Sequence, residues 1–209
     1  DLIAVPEHDG IRPKTKENQT IITTIGAVHR VNQALLEREA GMWTKTLGET
    51  SHPRVTLLLG NFDVEPGVCE EHMRQLAQLT YRCVQESGGS LWVSNSRRTP
   101  DRVIQAVKQV LRCDDTQPAA YEVYVHEIEK SRANPYYAFL ALSDMIIVTG
   151  DSISMCSEAC AAGKPVYVYA PNGLIPAKHQ RFLDGLFRDG YAKPFDEHAL
   201  EQMDMVSSE

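Results

Sequence analysis

The chain has 209 residues, 43% hydrophobic and 23% charged, the balance of an ordinary globular chain with one sizeable core. Its net charge is −7 and its densest basic clusters are Arg97-Arg98 and Lys178 to Arg181, which excludes a nucleic-acid groove and any nucleic-acid partner. No apolar run is long enough for a transmembrane segment, and the first residues lack the basic-then-apolar pattern of a signal peptide.

Leu2 to Val5 reads as a strand with nothing before it, like the tail of a sheet whose other strands are absent. Residues 11 to 19 read as a loop and Thr20 to Ile25 as a second β-branched run. Those two runs would leave open edges on a lone monomer, so they are expected to pair in a homodimer or to fold onto the final helix. Gly26 to Arg30 leads into a helix that ends near Ala40, with His29 and Arg30 either reaching a cleft or forming a surface pair. Residues 41 to 53 read as a linker.

A second unit starts at Arg54 with the apolar strand Val55 to Gly60 and the loop Asn61 to Gly67. The next helix carries Met73, Leu76, Ala77, Thr80, Cys83 and Val84 on one face and stops at Gly88-Gly89. After the strand Leu91 to Ser94, Thr99 is expected to cap a helix that opens on Pro100 and buries Val103, Ile104, Val107 and Leu111. That leaves Arg97 and Arg98 on a loop at a strand's carboxyl end, where they suit either a phosphate or a structural ion pair. Tyr121 to Val125 reads as a strand, His126 to Asn134 as a polar loop, and Pro135 opens a helix through Leu140. Met145 to Thr149, the turn Gly150 to Ser154, a short helix closed by Gly163 and the strand Pro165 to Ala170 then form a crossover between parallel strands. Lys178 to Asp189 is amphipathic and stops at Gly190, Tyr191 to Phe195 is extended, and Asp196 to Met205 reads as a final short helix.

Strands near 55, 91, 121, 145 and 165 separated by helices predict an α/β fold, a doubly wound parallel sheet in the order 3-2-1-4-5. Its switch point falls between the strands at 55 and 145, so Gly60-Asn61 and the turn Gly150 to Ser154 should face each other across a crevice. The turn suits an anion: Gly150 permits close backbone approach, Ser152 and Ser154 can cap or donate, and the helix behind presents its positive end. Glu158, four residues past Ser154, completes no capping box with it and is free for a hydroxylated ligand; in the alternative, Ser154 is a plain N-cap and Glu158 a solvated acid. Neither Gly-x-Gly-x-x-Gly nor a P-loop is present, and no cofactor is expected. Five cysteines without regular spacing suggest reduced thiols and a cytoplasmic compartment. Cys156 and Cys160 share a helix face without further ligands, so no metal site is expected.

Three motifs in order, Gly89-Ser-Leu-Trp-Val-Ser-Asn-Ser-Arg-Arg-Thr-Pro100, Asn134-Pro-Tyr-Tyr-Ala-Phe-Leu140 and Thr149-Gly-Asp-Ser-Ile-Ser-Met-Cys-Ser-Glu-Ala159 with Gly163-Lys-Pro-Val166, resemble the mitochondrial-fission (elongated-mitochondria) family. Bacterial members of that family are labelled nucleoside-diphosphate-sugar epimerases, and the family is similar in turn to GT-B glycosyltransferases. The resemblance runs from Val5-Pro-Glu-His-Asp-Gly10 to Tyr191-Ala-Lys-Pro-Phe195. It implies a Rossmann-like C-terminal domain of a GT-B-type fold at 54–195, behind a remnant of an N-terminal domain and linker at 1–53, with 196–209 as a helix or tail.

The implied ligand is a nucleoside-diphosphate sugar. Gly150, Asp151, Ser152 and Ser154, with Gly60 and Asn61 opposite, would hold the diphosphate; Glu158 would hold the ribose, Arg97 and Arg98 a phosphate, and Val125, His126 and Glu127 the base. Gly60-Asn61 departs from the Gly-Gly common at that place in glycosyltransferases. No paired carboxylates or nucleophile stand out, so catalytic residues stay unassigned and the chain alone is expected to bind without turnover. The alternative is a non-catalytic interaction protein related to organelle-fission factors, associated with an organelle surface.

Overall fold

Strands that are apolar on both faces need a layer of helices on each side. The computed structural model, described for residues 2–10, 20–47, 49–112, 123–127 and 133–202, builds those layers. The elements in chain order are β1 (Leu2–Pro6), a single 3-10 turn (Glu7–Asp9), β2 (Thr20–Thr24), α1 (Gln33–Leu47), β3 (Arg54–Leu59), α2 (Pro66–Ser87), β4 (Ser90–Asn95) and α3 (Asp101–Leu111). There follow β5 (Val123–His126), α4 (Tyr136–Leu142), β6 (Met145–Thr149), α5 (Ile153–Ala161), β7 (Val166–Tyr169), α6 (Ala177–Arg188), β8 (Lys193–Pro194) and α7 (Glu197–Gln202). The fold is α/β, centred on a parallel sheet of six strands in the order β5-β4-β3-β6-β7-β8.

Alternation along the strands divides the core in two. Val55, Leu57 and Leu59 of β3, with Val93 and Ile147, face α2 and α3, where Met73, Leu76, Ile104 and Val107 meet them. On the opposite face Leu58, Ile146, Val148 and Val168 pack under α5 and α6 against Met155, Phe182 and Leu183. Trp92, fully buried, stacks on Phe139 of α4 with centroids 5.5 Å apart, and Leu47 at the end of α1 closes that corner. The apolar face expected on α2, Met73, Leu76, Ala77, Thr80, Cys83 and Val84, is buried throughout.

β3 lies between β4 and β6, so the chain reverses direction across the sheet between β3 and β6, at the expected switch point.

Several expectations are corrected. The segment expected to be a linker from residue 41 is helical as far as Leu47, because α1 packs against α4 and tertiary burial outweighs the weak propensity of Gly41 and Thr44. A sixth strand, β8, pairs with β7 through Lys193 and Pro194. β1 and β2 pair with each other in parallel, so each supplies the partner that a second copy or the final helix was expected to supply. This ribbon is held against α6: Lys178 Nζ lies 2.5 Å from Asp9 Oδ1, Arg181 donates to the His8 carbonyl at 3.4 Å, and the His8 ring meets Phe182 edge-on at 5.1 Å. Cys113, the loop at 11–19, Tyr121 and the tail beyond Gln202 lie outside the described residues. Among those described, no helix is long and apolar enough to cross a membrane, and Cys69, Cys156 and Cys160 are free thiols.

Candidate functional site

In a parallel sheet every strand delivers its carboxyl end to the same edge, so β3, β4 and β6 bring Gly60-Asn61, Ser96 to Thr99 and Gly150 to Ser152 together. Side chains stitch these loops directly. The Gly60 amide donates to the Thr149 hydroxyl at 2.7 Å, and the Asn61 amide donates to Asp151 Oδ2 at 2.7 Å. From the β4 side, the Thr99 hydroxyl lies 2.9 Å from the Leu59 carbonyl oxygen and 2.8 Å from that of Gly60, and it accepts from the Ser96 amide at 3.0 Å. Thr99 is therefore a cross-loop tie and not the expected N-cap; α3 starts at Asp101 with Pro100 in the cap position.

The turn after β6 also differs from its sequence reading. Ser152 is the N-cap of α5, its hydroxyl accepting from the Met155 amide at 3.4 Å, whereas Ser154 is exposed at the second helical position. Two capping residues stand two positions apart here, and the backbone selects the first. The amides of Ile153 and Ser154 have no intrahelical acceptor, as at any helix start. Gly150 is closely packed: a Cβ there would lie 2.8 Å from Leu183 and 3.0 Å from Ala170.

Glu158 does not stand free. Its Oε2 accepts from the Tyr136 hydroxyl at 2.6 Å, bringing the start of the Asn134 to Leu140 motif onto α5. Burial first, then the Glu158 carboxylate, holds that hydroxyl well above the ordinary tyrosine value, so it remains a donor. Arg97 and Arg98 are both exposed beside the crevice, without an ion pair among the described residues. Of the three residues expected at a base, Val125 packs against the core, His126 is buried at the end of β5, and Glu127 pairs with Lys108.

Sequence reasoning missed His179 as a site residue. α6 follows β7, so its first turn lies at the same edge of the sheet, which is the signal that could have found it. The His179 Nδ1 is buried without a hydrogen-bond partner. Burial pushes this imidazole below its ordinary value, the Asp151 carboxylate pulls it back up, and Lys178, His8 and Arg98 push it down. These shifts put His179 within electrostatic reach of Asp151 and of the Arg98 loop. Among the described residues no group of three His, Cys, Asp or Glu side chains could hold a metal ion.

The model of one protein family, described as mitochondrial fission ELM1, matches residues 1–208. The chain belongs to the mitochondrial fission ELM1 family. Its Arabidopsis thaliana relative, mitochondrial fission protein ELM1, is 28% identical over 190 residues, covering 80% of this chain and 42% of that one. Uncharacterized protein RP120 of Rickettsia prowazekii (strain Madrid E) is 38% identical over 106 residues, covering 51% of this chain and 28% of the other. The chain thus spans less than half the length of the curated relatives it matches. Among solved structures, a Listeria monocytogenes protein assigned as a UDP-N-acetylglucosamine 2-epimerase superposes with a TM-score of 0.49 at 14% identity, over 86% of this chain and 40% of that one.

Proposed function

We propose that this ELM1-family chain binds a nucleoside-diphosphate sugar in the switch-point crevice, as the nucleotide-binding half of a GT-B-type sugar-nucleotide enzyme, with residues 54–195 as the binding domain. The observation that carries the proposal is the opening of α5, nine residues long and capped by Ser152, at the edge where β3 and β6 part. Free amides and the dipole there favour phosphate oxygens. Exposed Arg98 supplies a guanidinium fork from the neighbouring loop, and Glu158, one turn inside α5, accepts from a hydroxyl already and offers the same chemistry to a ribose.

Calorimetric titration with UDP-, GDP- and ADP-sugars tests the proposal, and no heat from any of them at millimolar concentration ends it. Glu158→Gln is expected to weaken a nucleotide while sparing sulfate, because only the nucleotide brings ribose hydroxyls.

A second reading, a non-catalytic interaction protein at an organelle surface, is favoured by the apolar residues that the ribbon region leaves exposed, Leu2 at 67% and Val28 at 75%. Pull-down with wild type against a Ser152→Ala, Glu158→Ala variant separates the two. Partner capture that survives loss of the turn supports the interaction reading.

A further inference from the structure

We infer that the Asp151 carboxylate makes the crevice select by charge, admitting a nucleoside diphosphate whose terminal phosphate is esterified to a sugar and discriminating against the free nucleoside diphosphate. The inference rests on the nucleotide-sugar reading of the same crevice.

Asp151 is only 7% exposed and immediately precedes the N-cap of α5. One carboxylate oxygen takes the Asn61 amide, and the other, Oδ1, is buried with no hydrogen-bond partner. A Cβ on Gly60 would stand 2.3 Å from both oxygens, so the carboxylate is seated directly against that backbone, and the Gly60-Asn61 departure from Gly-Gly keeps the one glycine this seating requires. No lysine or arginine pairs with Asp151 among the described residues. The charged groups within electrostatic reach of His179 on this edge are Asp151 itself, Lys178, His8 and Arg98, and burial favours the neutral form of His179. The positive end of α5 therefore already faces a fixed negative charge that the protein only partly offsets.

The amide of Asn61 is thereby unavailable to a phosphate, and any phosphate entering at Ile153 and Ser154 approaches the carboxylate. A terminal phosphate monoester has its second pKa near ~6, so above neutral pH the free diphosphate carries about one more negative charge than its sugar ester. At the distances of a shared loop, and with screening by salt, one additional like charge is expected to weaken binding on the order of tenfold.

Calorimetry at pH 8 on the pairs UDP and UDP-glucose, GDP and GDP-mannose, and ADP and ADP-glucose tests the inference. For the pair that binds, wild type is expected to prefer the sugar ester by about tenfold. Asp151→Asn keeps an oxygen for the Asn61 amide and removes the charge. It is expected to bring the ratio toward one by tightening the free nucleotide, and Asp151→Ser to act in the same direction. An unchanged ratio in a folded variant overturns the inference and leaves the nucleotide-sugar reading standing; heat from no pair with any of the proteins overturns both. A further measurement needs no mutation: the β-methyl ester of the same nucleoside diphosphate has the charge of the sugar nucleotide without its sugar. It should bind wild type nearer to the sugar ester than to the free diphosphate, and binding like the free diphosphate overturns the inference.

Discussion

The central sheet and the N-terminal ribbon are both parallel and both rich in β-branched and apolar residues, yet they are stabilised differently. β3, β4 and β6 are buried on both faces, so nearly every side chain contributes to one of two packed layers. The ribbon of β1 and β2 has one neighbour per strand, leaves Leu2 and Ile22 exposed, and is attached to α6 by an ion pair, one long hydrogen bond and the ring of His8. Two strands alone are marginal in water. The same local sequence character yields a core only where helices cover it, and the candidate site is built entirely on the covered side.

Trp92→Ala is expected to have the largest effect on the sheet. It removes a fully buried indole stacked on Phe139, and a loss of about 3–5 kcal/mol is expected in denaturant unfolding. Leu2→Ala in the ribbon should change stability by no more than about 0.5 kcal/mol. Similar losses from the two would mean that the ribbon shares the sheet's cooperativity.

Gly60→Ala comes next. The new methyl group must displace the Asp151 carboxylate from the Asn61 amide, with an expected cost of about 1–3 kcal/mol. A neutral outcome would show that the β3 and β6 loops are not tied through this contact.

The smallest effect is a pH dependence. The folded value of His179 lies below the ordinary histidine value of 6.5, chiefly through burial, so the unfolded chain takes up its proton first as pH falls. Its contribution is fully present above 6.5 and is lost as pH falls through 6.5 and on through the folded value. Asp151, Lys178, His8 and Arg98 face it and set the balance. Melting temperatures between pH 8 and pH 5.5 should decline less steeply for His179→Gln than for wild type; an equal or steeper decline would place His179 outside the buried edge.

The sheet was legible because five strand-like runs rich in apolar residues alternate with helical periods, and that alternation dictates parallel pairing and the β3–β6 switch point. β8 was not, because Lys193-Pro194 has no apolar period of its own and is pinned by buried Ala192 and Phe195 on either side. Thr99 before Pro100 carries a capping signature, yet its hydroxyl is used some forty residues away in the chain, at Leu59 and Gly60. Ser152 and Ser154 are equivalent as letters and differ only in backbone geometry. The partnership of Glu158 with Tyr136 and the approach of His179 to Asp151 join residues from separate elements, and no local pattern encodes them.

Amide hydrogen exchange on the unmutated chain, with and without a millimolar nucleoside-diphosphate sugar, tests whether the ligand binds at the switch point. Slowed exchange confined to the loops that meet at the switch point is the predicted result: residues 60–61, 96–99 and 149–155, with the ribbon at 2–6 and 20–24 unchanged. Protection on the ribbon alone, or no change at the switch point at saturating ligand, would contradict it.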